Sequence, residues 1–172
     1  QPGIGRTGKL FAFEHYGIIP DILVYGKGLG GGFPIGALSS SFNNMSLFKE
    51  NPILGHITTF GGHPVISAAA LATLREVFAK NLLSESLRKE ALIREELQHP
   101  KIKEIRGKGL MLALEFENEE LSKKVVEQSL ENGLILFYFL FTKTAIRITP
   151  PLTISNKEII EGCNVIKGIL DA

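Results

Sequence analysis

The sequence predicts a chain of the α/β class that ends in a small α+β domain. A short apolar strand at residues 22–25 runs into a cluster of glycines, and an alanine-rich helix follows at residues 64–80. Beyond residue 81 the pattern changes to amphipathic helices and alternating strands, which is typical of helices packed on an antiparallel sheet. We therefore expect two domains, at residues 1–80 and 81–172.

The strand at residues 22–25 leads into the most informative stretch of the chain. Its side chains are β-branched, apolar or aromatic, which predicts a strand buried on both faces. Lys27 follows at once, between Gly26 and Gly28. Glycines at these positions allow another backbone or a flat ligand to approach closely.

Three interpretations of Lys27 compete. The first is a surface lysine in a loose turn, which is what most lysines are. The second is a phosphate loop: Gly26, Gly28 and Gly31 match a dinucleotide fingerprint, but Pro34 prevents the helix that should follow, and a nucleotide P-loop needs Ser or Thr after the lysine. The third is a lysine that forms a Schiff base with an aldehyde cofactor.

Four motifs in a fixed order decide between these interpretations. They are Gln-Pro-Gly-Ile-Gly-Arg-Thr-Gly at residues 1–8, Phe-Ala-Phe-Glu-His-Tyr-Gly at 11–17, Lys-Gly-Leu-Gly-Gly-Gly at 27–32, and Thr-Thr-Phe-Gly-Gly-His-Pro at 58–64. This succession resembles the class III aminotransferases, a pyridoxal-phosphate family that includes ornithine, acetylornithine and 4-aminobutyrate transaminases. The resemblance extends from residue 1 to about residue 155.

The resemblance implies a role for three residues in binding pyridoxal 5'-phosphate. Lys27 corresponds to the lysine that forms the internal aldimine, and Gln1 to a glutamine that hydrogen-bonds the phenolic oxygen of the cofactor. Thr59 corresponds to a threonine that binds the cofactor phosphate of the neighbouring subunit, which implies a homodimer. The plainer alternatives are a solvated terminal residue for Gln1 and a hydroxyl cap of the helix at residues 64–80 for Thr59.

Arg147 lies in an apolar strand that runs into Pro150 and Pro151. A guanidinium in such a place can bind a carboxylate through two parallel hydrogen bonds. In the family, an arginine before this Pro-Pro turn binds the α-carboxylate of the amino or oxo acid. The alternative is a local ion pair with Glu115 or Glu117.

The other predicted elements follow from periodicity and from cap signals. The helix at residues 64–80 is apolar almost all round in its first half, which predicts a buried, closely packed helix with a ready anion site at its N-terminus. Further helices are predicted at 9–16, 45–49, 82–97 and 119–131 and after a Ser155 cap, and strands at 35–41, 102–106, 110–116, 134–141 and 145–148.

Composition excludes several classes of protein. The net charge of +1 is scattered, which argues against a nucleic-acid footprint or a polybasic membrane patch. No apolar run reaches the ~18 residues of a membrane span. The single cysteine, Cys163, lies on an apolar stripe and suits a reducing compartment. We expect a cytoplasmic protein with no metal site, in which Arg6 and Arg106 are structural.

The resemblance also implies that these residues are the C-terminal part of a fold-type I enzyme. Residues 1–80 then correspond to the later part of the cofactor-binding large domain, and residues 81–172 to the small domain. The expected reaction moves an amino group from an amino acid or amine to an oxo acid, commonly 2-oxoglutarate, although the 172 residues alone are expected to be inactive. The alternatives are a non-catalytic folded or dimerisation piece, and a related decarboxylase or aminomutase.

Overall fold

The chain, described over residues 1–172 by a computed structural model, forms two compact units. The first unit comprises Gln1–Ile4 and Lys9–Asn81, and the second comprises Gly5–Gly8 and Leu82–Ala172. Gly5–Gly8, which we call the N-terminal strap, therefore belongs to the second unit although it lies near the start of the sequence. No helix of the chain combines the length and the apolar character that crossing a membrane requires.

The first unit contains one two-stranded antiparallel sheet and two α-helices. Strand β1 pairs with β2 so that Ile22 lies opposite Ser40 and Gly26 opposite Gly36. The elements are the strands β1 (Ile22–Gly26) and β2 (Gly36–Ser40), the helices α1 (Phe42–Ser46) and α2 (Pro64–Ala79), and 3₁₀ turns at Ala12–His15, Lys27–Gly30 and Leu47–Lys49.

Two expectations for the first unit are wrong. Strand β1 is not buried on both faces, since Ile22 and Val24 are 57% and 73% exposed. The reason is that β1 has β2 as its one strand neighbour, and a two-stranded sheet covers little of its own surface. Helix α2 is not buried either: Leu71 and Phe78 are exposed, and its buried residues are Ala70 and Val77.

The second unit has the predicted α+β architecture. Its antiparallel sheet has the strand order β3-β4-β6-β5. Strand β5 is much shorter than predicted, and the hairpin turn falls at Gly109 and Leu110 because Lys108 pairs with Met111. The strands are β3 (Ile102–Lys108), β4 (Met111–Phe116), β5 (Phe137–Tyr138) and β6 (Ala145–Ile148), and the helices are α3 (Leu82–Glu96), α4 (Glu119–Glu131) and α5 (Asn156–Asp171).

Local cap signals set the ends of two helices of this unit. The Ser155 hydroxyl accepts from the Glu158 amide at 3.2 Å, which is the predicted Ser155 cap, and a Glu158 carboxylate oxygen accepts from the Ser155 amide at 2.7 Å, which completes a capping box. Asn118 caps α4 by accepting from the Leu121 amide at 2.9 Å. The apolar faces of the helices and one face of the sheet form the core, with Ile93, Leu97, Leu112, Leu114, Phe116, Val125, Ile146 and Ile159 among its buried side chains.

Cys163 lies in this core and is 5% exposed, as its place on the apolar stripe of α5 predicts. The pKa of the Cys163 thiol is raised from 9.0 to about 11, mainly because burial disfavours the charged thiolate; Glu96 also raises it, and Lys167 acts in the opposite direction. The thiol is therefore a protonated core side chain at neutral pH.

We expect Cys163 to make the free energy of unfolding fall as the pH rises above 9. Its folded pKa of about 11 lies above the ordinary value of 9.0, so the stabilisation is complete below pH 9 and is lost as the pH rises through 11. Guanidinium denaturation over this range measures the free energy of unfolding. Cys163→Ala should be less stable but show a shallower fall with pH, and equal slopes in the two proteins would contradict this assignment.

Candidate functional site

Lys27 directly follows the last residue of β1 and opens the 3₁₀ turn Lys27–Gly30. Its φ angle is 43°, in the left-handed region that is unfavourable for a residue with a Cβ atom. The lysine is exposed, so burial of its side chain does not explain this conformation. Strain of this kind persists only where the surrounding structure imposes it, and it is concentrated at functional sites.

One glycine before Lys27 and one after it lie where the backbone approaches other groups closely. A Cβ atom on Gly26 would lie 2.4 Å from the carbonyl oxygen of Ile35, so the prediction that another backbone approaches closely here is confirmed. A Cβ atom on Gly31 would lie 2.3 Å from the Thr73 hydroxyl on α2. Helix α2 therefore packs directly against the turn that carries Lys27.

The side chain of Gln1 contacts the amine of Lys27. The Lys27 Nζ atom donates a hydrogen bond to Gln1 Oε1 at 2.8 Å. A cavity of about 220 Å³ beside Gln1 is lined by Gly28 and by the rings of Phe11 and Tyr25, whose centroids are 5.1 Å apart. Lys27 itself does not line this cavity. The exposed amine and the neutral amide of Gln1 lie in contact, and a lysine amine with such a neighbour fits an aldehyde cofactor.

Thr59 lies in the same unit but does not join this pair. It is exposed in the turn before α2 and forms no hydrogen bond with Lys27 or Gln1. Helix α2 begins at Pro64, as predicted, with His63 at the N-cap position, although the His63 side chain makes no capping hydrogen bond. Since the first N–H groups of a helix lack intrahelical acceptors, this end can still bind an anion.

Arg147 lies on β6 in the second unit, between β4 and β5. Its register partners are Ala113 and Phe137, and its Cζ atom lies 5.2 Å from the centroid of the Phe137 ring. The Nε atom is buried and has no hydrogen-bond partner. A buried donor without an acceptor is costly, so this atom needs an explanation.

The local ion pair considered for Arg147 does not form. Glu115 instead accepts from Arg106 Nε at 2.7 Å and from the Thr144 hydroxyl at 3.3 Å. Glu117 is exposed and is not paired with Arg147. Arg106 thus pairs with Glu115, and Arg147 has no carboxylate partner within the chain.

Lys89 is a buried cation that the sequence prediction omits. It is 5% exposed on α3, and its Nζ atom donates to the Leu152 carbonyl at 2.6 Å. A signal was present in the sequence, because Leu82, Ser86, Lys89 and Ile93 recur at the spacing of one helix face, and all four are buried.

Comparison of sequences identifies relatives of the whole chain. A family model described as "Aminotransferase class-III" matches residues 1–170. The chain is 42% identical over 175 residues to the acetylornithine aminotransferase of Caldanaerobacter subterraneus subsp. tengcongensis, covering 99% of this chain and 43% of that protein. It is 40% identical over 177 residues to the putrescine aminotransferase of Pectobacterium atrosepticum, covering 99% and 38%. The chain thus spans less than half the length of these relatives.

Solved structures give the same result. The acetylornithine aminotransferase of Elizabethkingia anophelis superposes with a TM-score of 0.87 at 34% identity, over 100% of this chain and 44% of that one. The ornithine δ-aminotransferase of Plasmodium falciparum superposes with a TM-score of 0.84 at 32% identity, over 99% and 45%. The α/β fold of a pyridoxal-phosphate aminotransferase is therefore confirmed.

The strained backbone of Lys27 can be tested by substitution. The free energy for local opening of β1 should be about 1 kcal/mol higher in Lys27→Gly than in Lys27→Ala, since glycine adopts a positive φ without the Cβ penalty. Hydrogen exchange of the β1 amides in the 172-residue chain measures this difference. Lys49 is not among the residues with positive φ, so glycine at position 49 should be no more stable than alanine. Equal exchange in the two Lys27 variants would show that the turn is not strained.

Proposed function

Because the chain belongs to the class III aminotransferase family, we propose that it supplies the lysine-bearing part of a pyridoxal 5'-phosphate-dependent transaminase. The reaction moves an amino group from an amino acid or amine to an oxo acid such as 2-oxoglutarate. The observation that carries this proposal is the exposed amine of Lys27, held on a strained turn at the end of β1 and hydrogen-bonded to Gln1 at 2.8 Å.

The residues of the first unit have distinct tasks in this reaction. When bound, pyridoxal phosphate supplies an electron sink for the bond that breaks at the substrate Cα atom. Lys27 would hold the cofactor through its amine, and as a free amine it would move the Cα proton of the substrate as base and acid. Gln1 would orient the cofactor by a hydrogen bond to its phenolic oxygen, and Thr59 would bind the phosphate.

Arg147 binds the carboxylate of the amino or oxo acid in this proposal. Two features support this role: its Nε donor has no partner in the chain, and no carboxylate of the chain pairs with it. The Phe137 ring lies against one face of the guanidinium, with its centroid 5.2 Å from Arg147 Cζ. This arrangement leaves the N–H groups at the edge of the guanidinium free to donate to a planar carboxylate.

The proposal includes a cytoplasmic homodimer in which Thr59 serves the partner's cofactor. Supporting features are the protonated, buried thiol of Cys163 and the exposed apolar side chains of the first unit, among them Val24, Leu71 and Phe78. Large exposed apolar surfaces commonly mark interfaces between subunits.

A related decarboxylase, an aminomutase and a non-catalytic piece remain the competing functions. Arg147 favours a transaminase over an aminomutase, because it suits a free substrate carboxylate. The assay that separates these functions follows the products of the full-length protein with an amino donor and 2-oxoglutarate. Glutamate formation supports the transaminase, whereas release of CO₂ or a shifted amino group would replace it, and the absence of both would favour the non-catalytic piece.

Lys27→Ala should abolish turnover and the visible absorption band of bound pyridoxal phosphate. The substitution removes the covalent anchor and the proton carrier together, so the loss should be complete rather than partial. Absorbance titration and a glutamate assay on the full-length protein measure the two effects. Lys49→Ala, an exposed lysine of the same unit, is the control and should retain both. Ordinary turnover in Lys27→Ala would remove the basis of the proposal.

Arg147→Ala should weaken the use of both amino and oxo acids while pyridoxal phosphate still binds. Loss of a charge-assisted contact to a buried carboxylate costs about 2–5 kcal/mol, which appears in kcat/KM. Arg88→Ala is the control, since Arg88 is an exposed arginine of the same unit that pairs with Glu85. Unchanged kinetics for both substrates would make Arg147 a structural residue.

A further inference from the structure

The turn after β6 is held by two cations that the proposed function does not use. Strand β6 ends at Ile148, and residues 149–154, here called the proline turn, contain neither helix nor strand. Pro150 and Pro151 have no N–H group, so this turn cannot continue the ladder with β4. The amide of Ile154 donates to the Pro151 carbonyl at 3.0 Å, which closes only the far end of the turn.

Arg6 binds the near end of the proline turn from the N-terminal strap. Its Nη1 atom donates to the carbonyl oxygens of Pro150 and of Leu110, the latter at 3.2 Å. The Leu110 amide donates back to the Arg6 carbonyl at 2.9 Å, so the strap is fixed on the β3–β4 hairpin. Burial lowers the pKa of the Arg6 guanidinium. Thus Arg6 links the proline turn, which follows Arg147 in the chain, to the turn between β3 and β4.

Lys89 binds the middle of the same turn from α3. Its Nζ atom donates to the Leu152 carbonyl at 2.6 Å, and its side chain is almost fully buried. Burial lowers the pKa of Lys89, and Arg88 lowers it further, while Glu85 and Glu158 act in the opposite direction. The ammonium group therefore donates to a neutral carbonyl and forms no ion pair with Glu85 or Glu158.

A buried cation, Lys89, and a partly buried one, Arg6, both donate to carbonyl oxygens, which is a costly way to stabilise a turn. Removing a cation from water costs free energy that a neutral acceptor returns only in part. Lys89 lies on the same buried face as Leu82 and Ile93, where an apolar side chain would pack without this cost. The cations add direction, since each fixes one carbonyl of a turn in which Pro150 and Pro151 have no N–H group.

We infer that Arg6 and Lys89 are positioning residues for Arg147. By holding the carbonyls of Pro150 and Leu152, they fix the end of β6 and so the direction of the Arg147 guanidinium. Arg147 has the Phe137 ring as a neighbour but no ion pair of its own to orient it. The inference rests on the proposed function, in which Arg147 binds the substrate carboxylate.

Steady-state kinetics with 2-oxoglutarate as the amino acceptor test this inference in the full-length protein. Lys89→Met and Arg6→Met keep a long apolar stem and lose the donors. Each should raise the KM for 2-oxoglutarate roughly ten-fold while kcat changes less than about two-fold, as expected when binding alone is weakened. Arg6→Lys keeps a donor and should restore most of the loss. Lys157→Met removes an exposed charge on α5 and should change neither constant.

The NMR resonance of the Arg147 Nε–H group gives a readout that does not require turnover. This group is buried, so its proton should exchange slowly enough to observe, and Arg147→Lys identifies it. In the 172-residue chain, Lys89→Met should shift or broaden this resonance, and Lys157→Met should leave it in place. If the methionine variants lower only the free energy of unfolding and leave the KM and the resonance unchanged, the two cations have a purely structural role and the inference is overturned.

The remaining outcomes separate this inference from the proposed function. If Arg147→Ala itself leaves the KM for 2-oxoglutarate unchanged, the carboxylate role fails and the inference fails with it. If Arg147→Ala raises the KM but neither methionine variant does, the inference alone is overturned. Unfolding of both methionine variants, seen as a loss of NMR dispersion, also overturns it, because stability would then account for the two cations.

Discussion

The placement of Lys27 depends on the absence of a side chain at Gly26 and Gly31. At each position a Cβ atom would lie within 2.4 Å of another group, the Ile35 carbonyl in one case and the Thr73 hydroxyl in the other. A side chain at either glycine would collide with these groups, and Lys27 between them adopts a positive φ. The cost of that conformation, about 1–2 kcal/mol, is met by the packing of β2 and α2 around the turn.

The two units differ in how much of their apolar surface they bury. The second unit has a continuous core in which Leu110, Leu114 and Ile146 are fully buried. The first unit leaves Val24, 73% exposed, and Phe78, 56% exposed, on its surface. Covering a side chain of this size gains on the order of 1.5–3 kcal/mol, so these faces favour association with another surface. Such a contact is consistent with the proposed subunit partner.

The features that sequence predicted well are those set by neighbouring residues. The bounds of α4 and the capping box of α5 follow from Asn118, Ser155 and Glu158, which act within one helical turn. The burial of β1 and α2 could not be predicted in this way, because it depends on which distant surfaces pack together. The length of β5 was also missed, since its apolar residues satisfy the strand pattern while only two of them find a partner in β6.

The same distinction applies to the candidate site. Lys27, Gln1 and Arg147 stand in linear motifs, and a motif can suggest what a side chain does but not what holds it in place. The supports come from elsewhere in the chain: Thr73 on α2 lies 46 positions beyond Lys27, and Lys89 on α3 lies 63 positions before Leu152. Lys27 directly follows the last residue of β1, and Arg147 is the next-to-last residue of β6. Each therefore needs a fixed backbone behind it, supplied by close glycine packing at Lys27 and by donated hydrogen bonds at Arg147.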